Sequence, residues 1–152
     1  MTPTIEIDVR YPLPEIDTVL LREVLFYSAR NEPAFPAGRW SLAVRLTDDL
    51  EIAALHARYF DDAAPTDVIK FPFDHADSGG GHLGDIIISV DTAGSQAVEF
   101  DHSLSREIAF LGIHGLLHLC GYEDVTVAQR EAMLAQQERL LAMSEAMLRL
   151  RL

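Results

Sequence analysis

The run from Ile108 to Cys120 is apolar except for two histidines, His114 and His118, four residues apart. It is too short to cross a bilayer, which takes ~20 residues, so it is expected to form a buried helix. Residues four apart on a helix leave the same face about one turn from each other, and both imidazoles therefore converge on one point. Each ring nitrogen buried without a partner costs ~1–3 kcal/mol, and a shared divalent metal satisfies one nitrogen on each ring. Gly121 suits the left-handed bend that ends a helix, after which the chain returns with a carboxylate at Asp124. Glu123 is the competing carboxylate. Three ligands with an open fourth position make a catalytic rather than a structural zinc arrangement.

The pair differs from the metalloprotease helix pattern, because Gly115 stands where that pattern places a glutamate base. A metallopeptidase is the disfavoured reading. Cys120 lies two residues after His118 and points off the ligand face, as a small core residue. His56 and His102 sit singly and read as solvated or hydrogen-bonded residues, while His75 and His82 are fallback ligands.

The chain of 152 residues suits a single domain, 1–152. Its one cysteine excludes an intrachain disulfide, and the segment from Met1 to Glu6 lacks the basic and apolar blocks of a secretory signal, so a cytoplasmic location is expected. The formal charge of −12 sets a field that repels phosphate backbones, and composition alone does not predict RNA binding. Lys70 is the only lysine among the 12 basic residues. Clustered arginine forks can still form a local phosphate patch.

Residues Thr4 to Tyr11 alternate apolar and charged side chains in the period of a half-buried strand. Helical spacing follows from Pro14 to Arg30 through Ile16, Val19, Leu20, Val24 and Tyr27. A strand is expected over Trp40 to Leu46, then a helix capped by Asp48 with Glu51 and running to about Phe60. Val68 to Phe73 reads as a strand, confined to a sheet edge by Pro72. Gly84 to Val90 forms the fourth strand, with short helical structure near Thr92 to Glu99. The segments 31–38, 61–66 and 74–81 read as loops.

Ser103 to Leu119 is the histidine helix, and Thr126 with Gln129 opens a long terminal helix. Its apolar stripe is Val127, Met133, Leu134, Leu140, Leu141, Met147 and Leu148, expected to pack on the body rather than on a second copy. The order predicts an α/β (α+β) fold, one small mixed sheet of about four strands covered by about five helices, with a metal cleft at the histidine helix.

Several stretches together resemble the YbeY family of bacterial rRNA maturation factors, metal-dependent endoribonucleases acting on single-stranded RNA. They are Tyr59, Pro65-Thr66-Asp67-Val68-Ile69, Phe71-Pro72, Leu83-Gly84-Asp85-Ile86, His102-Ser103, Arg106-Glu107 and His114 through Tyr122. The resemblance covers about residues 40 to 124. It implies a compact α/β domain with zinc in a cleft, RNA as substrate, and a role in maturing the small-subunit rRNA 3′ end during ribosome biogenesis.

Where the family motif closes with a third histidine, this chain has Asp124, and two histidines with one carboxylate also suit iron, manganese or nickel. The arginine expected after Tyr59 is Phe60, and Lys70 replaces a serine beside Phe71. Lys70, or failing it Arg58, is expected to supply the cation that offsets charge developing on a phosphodiester. The expected partners are single-stranded RNA and the small ribosomal subunit or its assembly factors, with no membrane. The alternative is a non-catalytic ribosome assembly factor with a degenerate metal site.

Overall fold

The computed structural model describes residues 3–11, 17–62, 66–73 and 79–148. The strands are β1 (Thr4–Val9), β2 (Arg39–Thr47), β3 (Val68–Pro72) and β4 (Gly80–Ser89). The helices are α1 (Thr18–Asn31), α2 (Asp49–Phe60), α3 (Val90–Glu99), α4 (Leu104–Leu119) and α5 (Val127–Leu148). The sheet order is β1-β2-β4-β3. β1 and β4 both run parallel to β2, and β3 is antiparallel to β4. This is the mixed α/β sheet that the pattern predicts, with Pro72 on an edge strand where a missing N–H costs nothing.

The two faces of the sheet bury different helices. Leu42, Val44 and Leu46 of β2 and Ile86 and Ile88 of β4 share the main core with Leu21, Val24 and Leu25 of α1, with Ile113, Leu116 and Leu117 of α4, and with Met133, Leu140 and Leu141 of α5. On the other face Ile52 of α2 packs with Ile69 and Ile87, flanked by Leu55 and Phe71. Lys70 pairs with Ile86 in register, so it shares the face that α4 covers. Its neighbours Ile69 and Phe71 point the other way.

Several boundaries differ from the sequence expectation for identifiable reasons. Pro14 and Ile16 lie outside the described residues, and α1 begins at Thr18 because the Asp17 carboxylate accepts from the Leu20 N–H at 2.9 Å. Its inward stripe is Leu21, Val24, Leu25, Ser28 and Ala29, while Val19 is exposed. β4 starts four residues before Gly84, because a strand of glycines can press against its neighbour: a Cβ at Gly80 would meet the Arg39 carbonyl oxygen at 2.4 Å. Ser89 ends that strand and caps α3 through the Thr92 N–H, which makes Val90 helical rather than extended.

α5 packs on α1 and α4 within the same chain. Only part of the expected stripe turns inward, however. Met133, Leu140 and Leu141 are buried, whereas Val127, Leu134 and Met147 are exposed. The inward row is completed by two polar residues, Gln137 and Ser144. Among the described residues, no helix is long and apolar enough to cross a membrane.

Candidate metal centre

Helix α4 is locked onto β4 through a glycine. A Cβ at Gly115 would lie 2.7 Å from Ile86 Cγ2, so no larger residue fits between His114 and the sheet. This gives the physical reason why the metalloprotease glutamate has no place here. His114 and His118 project from the side of α4 that faces α5 and the returning chain. At the helix end Cys120 caps, Gly121 adopts φ +101°, and the chain folds back to bring Asp124 beneath the rings.

The three donor atoms converge. His118 Nε2 is 3.1 Å from His114 Nε2 and 3.2 Å from Asp124 Oδ2, and His114 Nε2 is 3.8 Å from the same oxygen. Ligands at about 2.0–2.1 Å from a tetrahedral zinc stand ~3.3 Å apart, so these separations bracket that value. The other ring nitrogens are already engaged. Nδ1 of His118 donates to the Tyr122 carbonyl at 3.0 Å, and Nδ1 of His114 donates to Gln137 Oε1 at 3.1 Å. A carbonyl only accepts, so the protons sit on Nδ1 and both Nε2 lone pairs face the carboxylate. Three electron-rich atoms so close repel one another unless a cation or proton lies between them. The donor set therefore fits a divalent metal, and His114, His118 and Asp124 are the only such group of three among the described residues.

Burial grades across the trio, with side-chain exposure of 7% for His118, 26% for His114 and 40% for Asp124. Burial above all, and then the charges of Lys70 and His114, push His118 below the ordinary imidazole range, against an upward pull from Asp124. Lowering favours the neutral ring that a metal requires. Lys70 is thus close enough for its charge to be felt at the trio.

Glu123 turns away, its carboxylate accepting from Gln129 Nε2 at 3.2 Å. Arg58 is not brought to the centre. It sits on α2, whose core contacts lie across the sheet from α4, and its guanidinium stacks 5.2 Å from the centre of the Tyr59 ring. His82 is spent on Ser41, at 2.7 Å, and Asp85, at 2.6 Å. His75 lies outside the described residues. The centre opens into a cleft of about 630 Å³ whose walls include Phe100, His102, Phe110, Arg130 and Gln137.

The family model described as Endoribonuclease YbeY matches residues 15–145. The chain belongs to the YbeY family. The endoribonuclease YbeY of Moorella thermoacetica is 44% identical over 127 residues, which cover 78% of this chain and 80% of that protein. The one from Heliobacterium modesticaldum is 41% identical over 125 residues, 75% of each chain. A Thermotoga maritima protein solved in solution shares the fold, with a TM-score of 0.66, 24% identity, and coverage of 96% of this chain and 92% of that one.

Within this YbeY-family fold, three residues support the centre, and two of them, Gln137 and Glu32, lie outside the stretches that carry the resemblance. Gln137 holds His114 and reads in sequence only as a polar residue inside an apolar stripe. The Tyr122 carbonyl holds His118, and the Tyr122 hydroxyl donates to Glu32 Oε1 at 2.9 Å. Glu32 is 4% exposed and also accepts from Gln136 Nε2 at 2.6 Å, tying the bend before Asp124 to α1 and α5. Phe60, at the position where the resemblance expects an arginine, packs its ring 5.8 Å from that of Phe71.

Proposed function

We propose that this chain is a metal-dependent endoribonuclease that hydrolyses phosphodiester bonds of single-stranded RNA, with zinc held by His114, His118 and Asp124. The observation that carries this reading is the convergence of three donor atoms, lone pairs inward, at one end of an open cleft. Bound there, such a cation would polarise a phosphoryl oxygen or activate the attacking hydroxyl, whether of water or of the ribose.

The residues of the chain do the rest. Gln137 and the Tyr122 carbonyl keep both Nε2 atoms unprotonated and aimed at one point. Asp124 contributes negative charge that tempers the electrophilicity of the centre. Lys70, whose charge reaches His118 from the edge strand, offsets negative charge developing on the phosphodiester. Gly115 leaves no space for a glutamate base on α4, which argues against a peptidase.

The family supports a setting in rRNA maturation at the small-subunit 3′ end. With a formal charge of −12, free RNA is bound weakly, and docking on a ribosomal particle supplies the missing affinity. The test combines metal analysis of the purified protein with cleavage of a single-stranded RNA. Zinc near one per chain with cleavage lost in His114→Ala is expected, and Lys70→Met slows turnover by about 10²–10³-fold while retaining metal. Protein that carries no metal and cleaves nothing is instead a non-catalytic assembly factor, the role that Phe60 in place of a phosphate-gripping arginine favours.

A further inference from the structure

The metal cleft contains a second polar device, away from the trio. Glu107 lies in the first turn of α4 and is 3% exposed. Its carboxylate Oε1 is 3.0 Å from His102 Nε2. Glu107 and His114 are seven residues apart on α4, so the pair stands about 10 Å along the helix from the metal ligands. His102 lines the same cleft.

A carboxylate only accepts, so with Glu107 as the acceptor the uncharged tautomer of His102 carries its proton on Nε2. Nδ1 is then left as an acceptor. It has no protein partner among the described residues, and since no buried side-chain nitrogen or oxygen there is unpartnered, Nδ1 is reached from solvent. Beside it the Phe100 ring is 60% exposed, with its centroid 6.0 Å from that of His102 and the planes tilted by 44°. An exposed aromatic face next to a directed acceptor suits one nucleotide, with the base on the ring and a hydroxyl on the nitrogen.

We propose that His102, oriented by Glu107, accepts a hydrogen bond from a ribose 2′-hydroxyl of bound RNA while the neighbouring base stacks on Phe100. Phosphate oxygens have no proton to give, and the 2′-hydroxyl is the donor that DNA lacks. His102 is therefore a residue that selects RNA over DNA, distinct from the metal ligands. The inference deepens the RNA reading above and rests on it.

The test is binding of a fluorescent single-stranded RNA and its 2′-deoxy counterpart to the full chain at low salt, with EDTA to stop turnover. Wild type is expected to prefer RNA by about threefold to tenfold, the worth of one hydrogen bond. The double variant His102→Phe/Glu107→Leu removes both partners and leaves no orphaned carboxylate; it is expected to bind the two strands equally. Phe100→Ala is expected to weaken both alike. A wild type without preference, or a double variant that keeps it, overturns the assignment. If wild type binds neither strand yet cleaves RNA when zinc is restored, the 2′-hydroxyl assignment falls and the nuclease stands. Absence of both binding and cleavage removes the two together.

Discussion

Gln137 reaches from α5 to His114 on α4, and its Oε1 accepts the Nδ1 proton at 3.1 Å. That amide is 4% exposed and occupies a place on the inward row of α5 between Met133 and Leu140. An apolar residue there would pack as well, so the amide is explained by what it does to the ring. Partners of this kind fix the tautomer and orientation of a metal-binding histidine.

Gln137→Leu is accordingly expected to lower zinc affinity about 10–100-fold with little change in thermal unfolding of the metal-free protein. Glu at the same position, a stronger acceptor, restores most of the loss. Chelator competition measures both. Unaltered affinity in Gln137→Leu would show that the amide only fills space.

Asp124 and Glu123 are adjacent carboxylates with opposite assignments. Of the two, Asp124 lies 3.2 Å from His118 Nε2, and Glu123 is engaged by Gln129. Asp124→Ala is expected to release zinc during dialysis, whereas Glu123→Ala retains it. Asp124→His places a third imidazole at the bend and should bind zinc as well or better, since nitrogen donors suit it. The reverse pattern in metal content would reassign the third ligand.

The sequence made the centre more legible than its supports. His114, His118, Gly121 and Asp124 lie within eleven residues, so helix period and glycine bend suffice to bring them together. The same local logic placed Asp48 as a cap and Pro72 on an edge. Gln137 and Glu32 act across contacts of tertiary structure, and no local period announces them, whereas His102 and Glu107 stand five residues apart within the stretches that carry the resemblance. Arg58 stands apart from the trio for a related reason: it is near Lys70 along the chain, but α2 and α4 cover opposite faces of the sheet. Only part of the apolar stripe of α5 turns inward, because Gln137 and Ser144 occupy inward positions and a hydrophobic pattern discards polar residues.

Gly115 tests how tightly the helix is seated. The added methyl of Gly115→Ala meets Ile86 at 2.7 Å and must displace α4 or force Ile86 from its rotamer. Overpacking of this kind costs typically 1–3 kcal/mol, roughly, so a clear fall in the urea midpoint is expected. Ile86→Val in the same chain should recover little of it, because valine sheds only Cδ1, at 3.2 Å, and keeps the two Cγ atoms that lie nearer, at 2.7 and 3.0 Å. A second measurement separates seating from stability: displaced histidines weaken zinc binding even where the protein stays folded. A variant as stable as wild type with unchanged metal affinity would mean that the helix rests less closely on β4 than these distances require.

Cys120 offers a pH-dependent readout of the same helix end. Burial, with a smaller contribution from the Glu32 charge, raises its thiol to about 12. An acid whose folded pKa is raised stays protonated in both states at neutral pH and contributes nothing to the pH dependence there. As the pH climbs past ~8.5 the unfolded chain alone ionises, so stability should decline from there toward pH 12. The reactive species is the thiolate, and at pH 8 its fraction falls roughly a thousandfold below that of an ordinary thiol. Iodoacetamide should therefore modify native Cys120 about that much more slowly than the urea-unfolded chain, as followed by mass spectrometry. Equal rates would show that the turn from Cys120 to Asp124 opens readily, and with it the carboxylate that completes the centre.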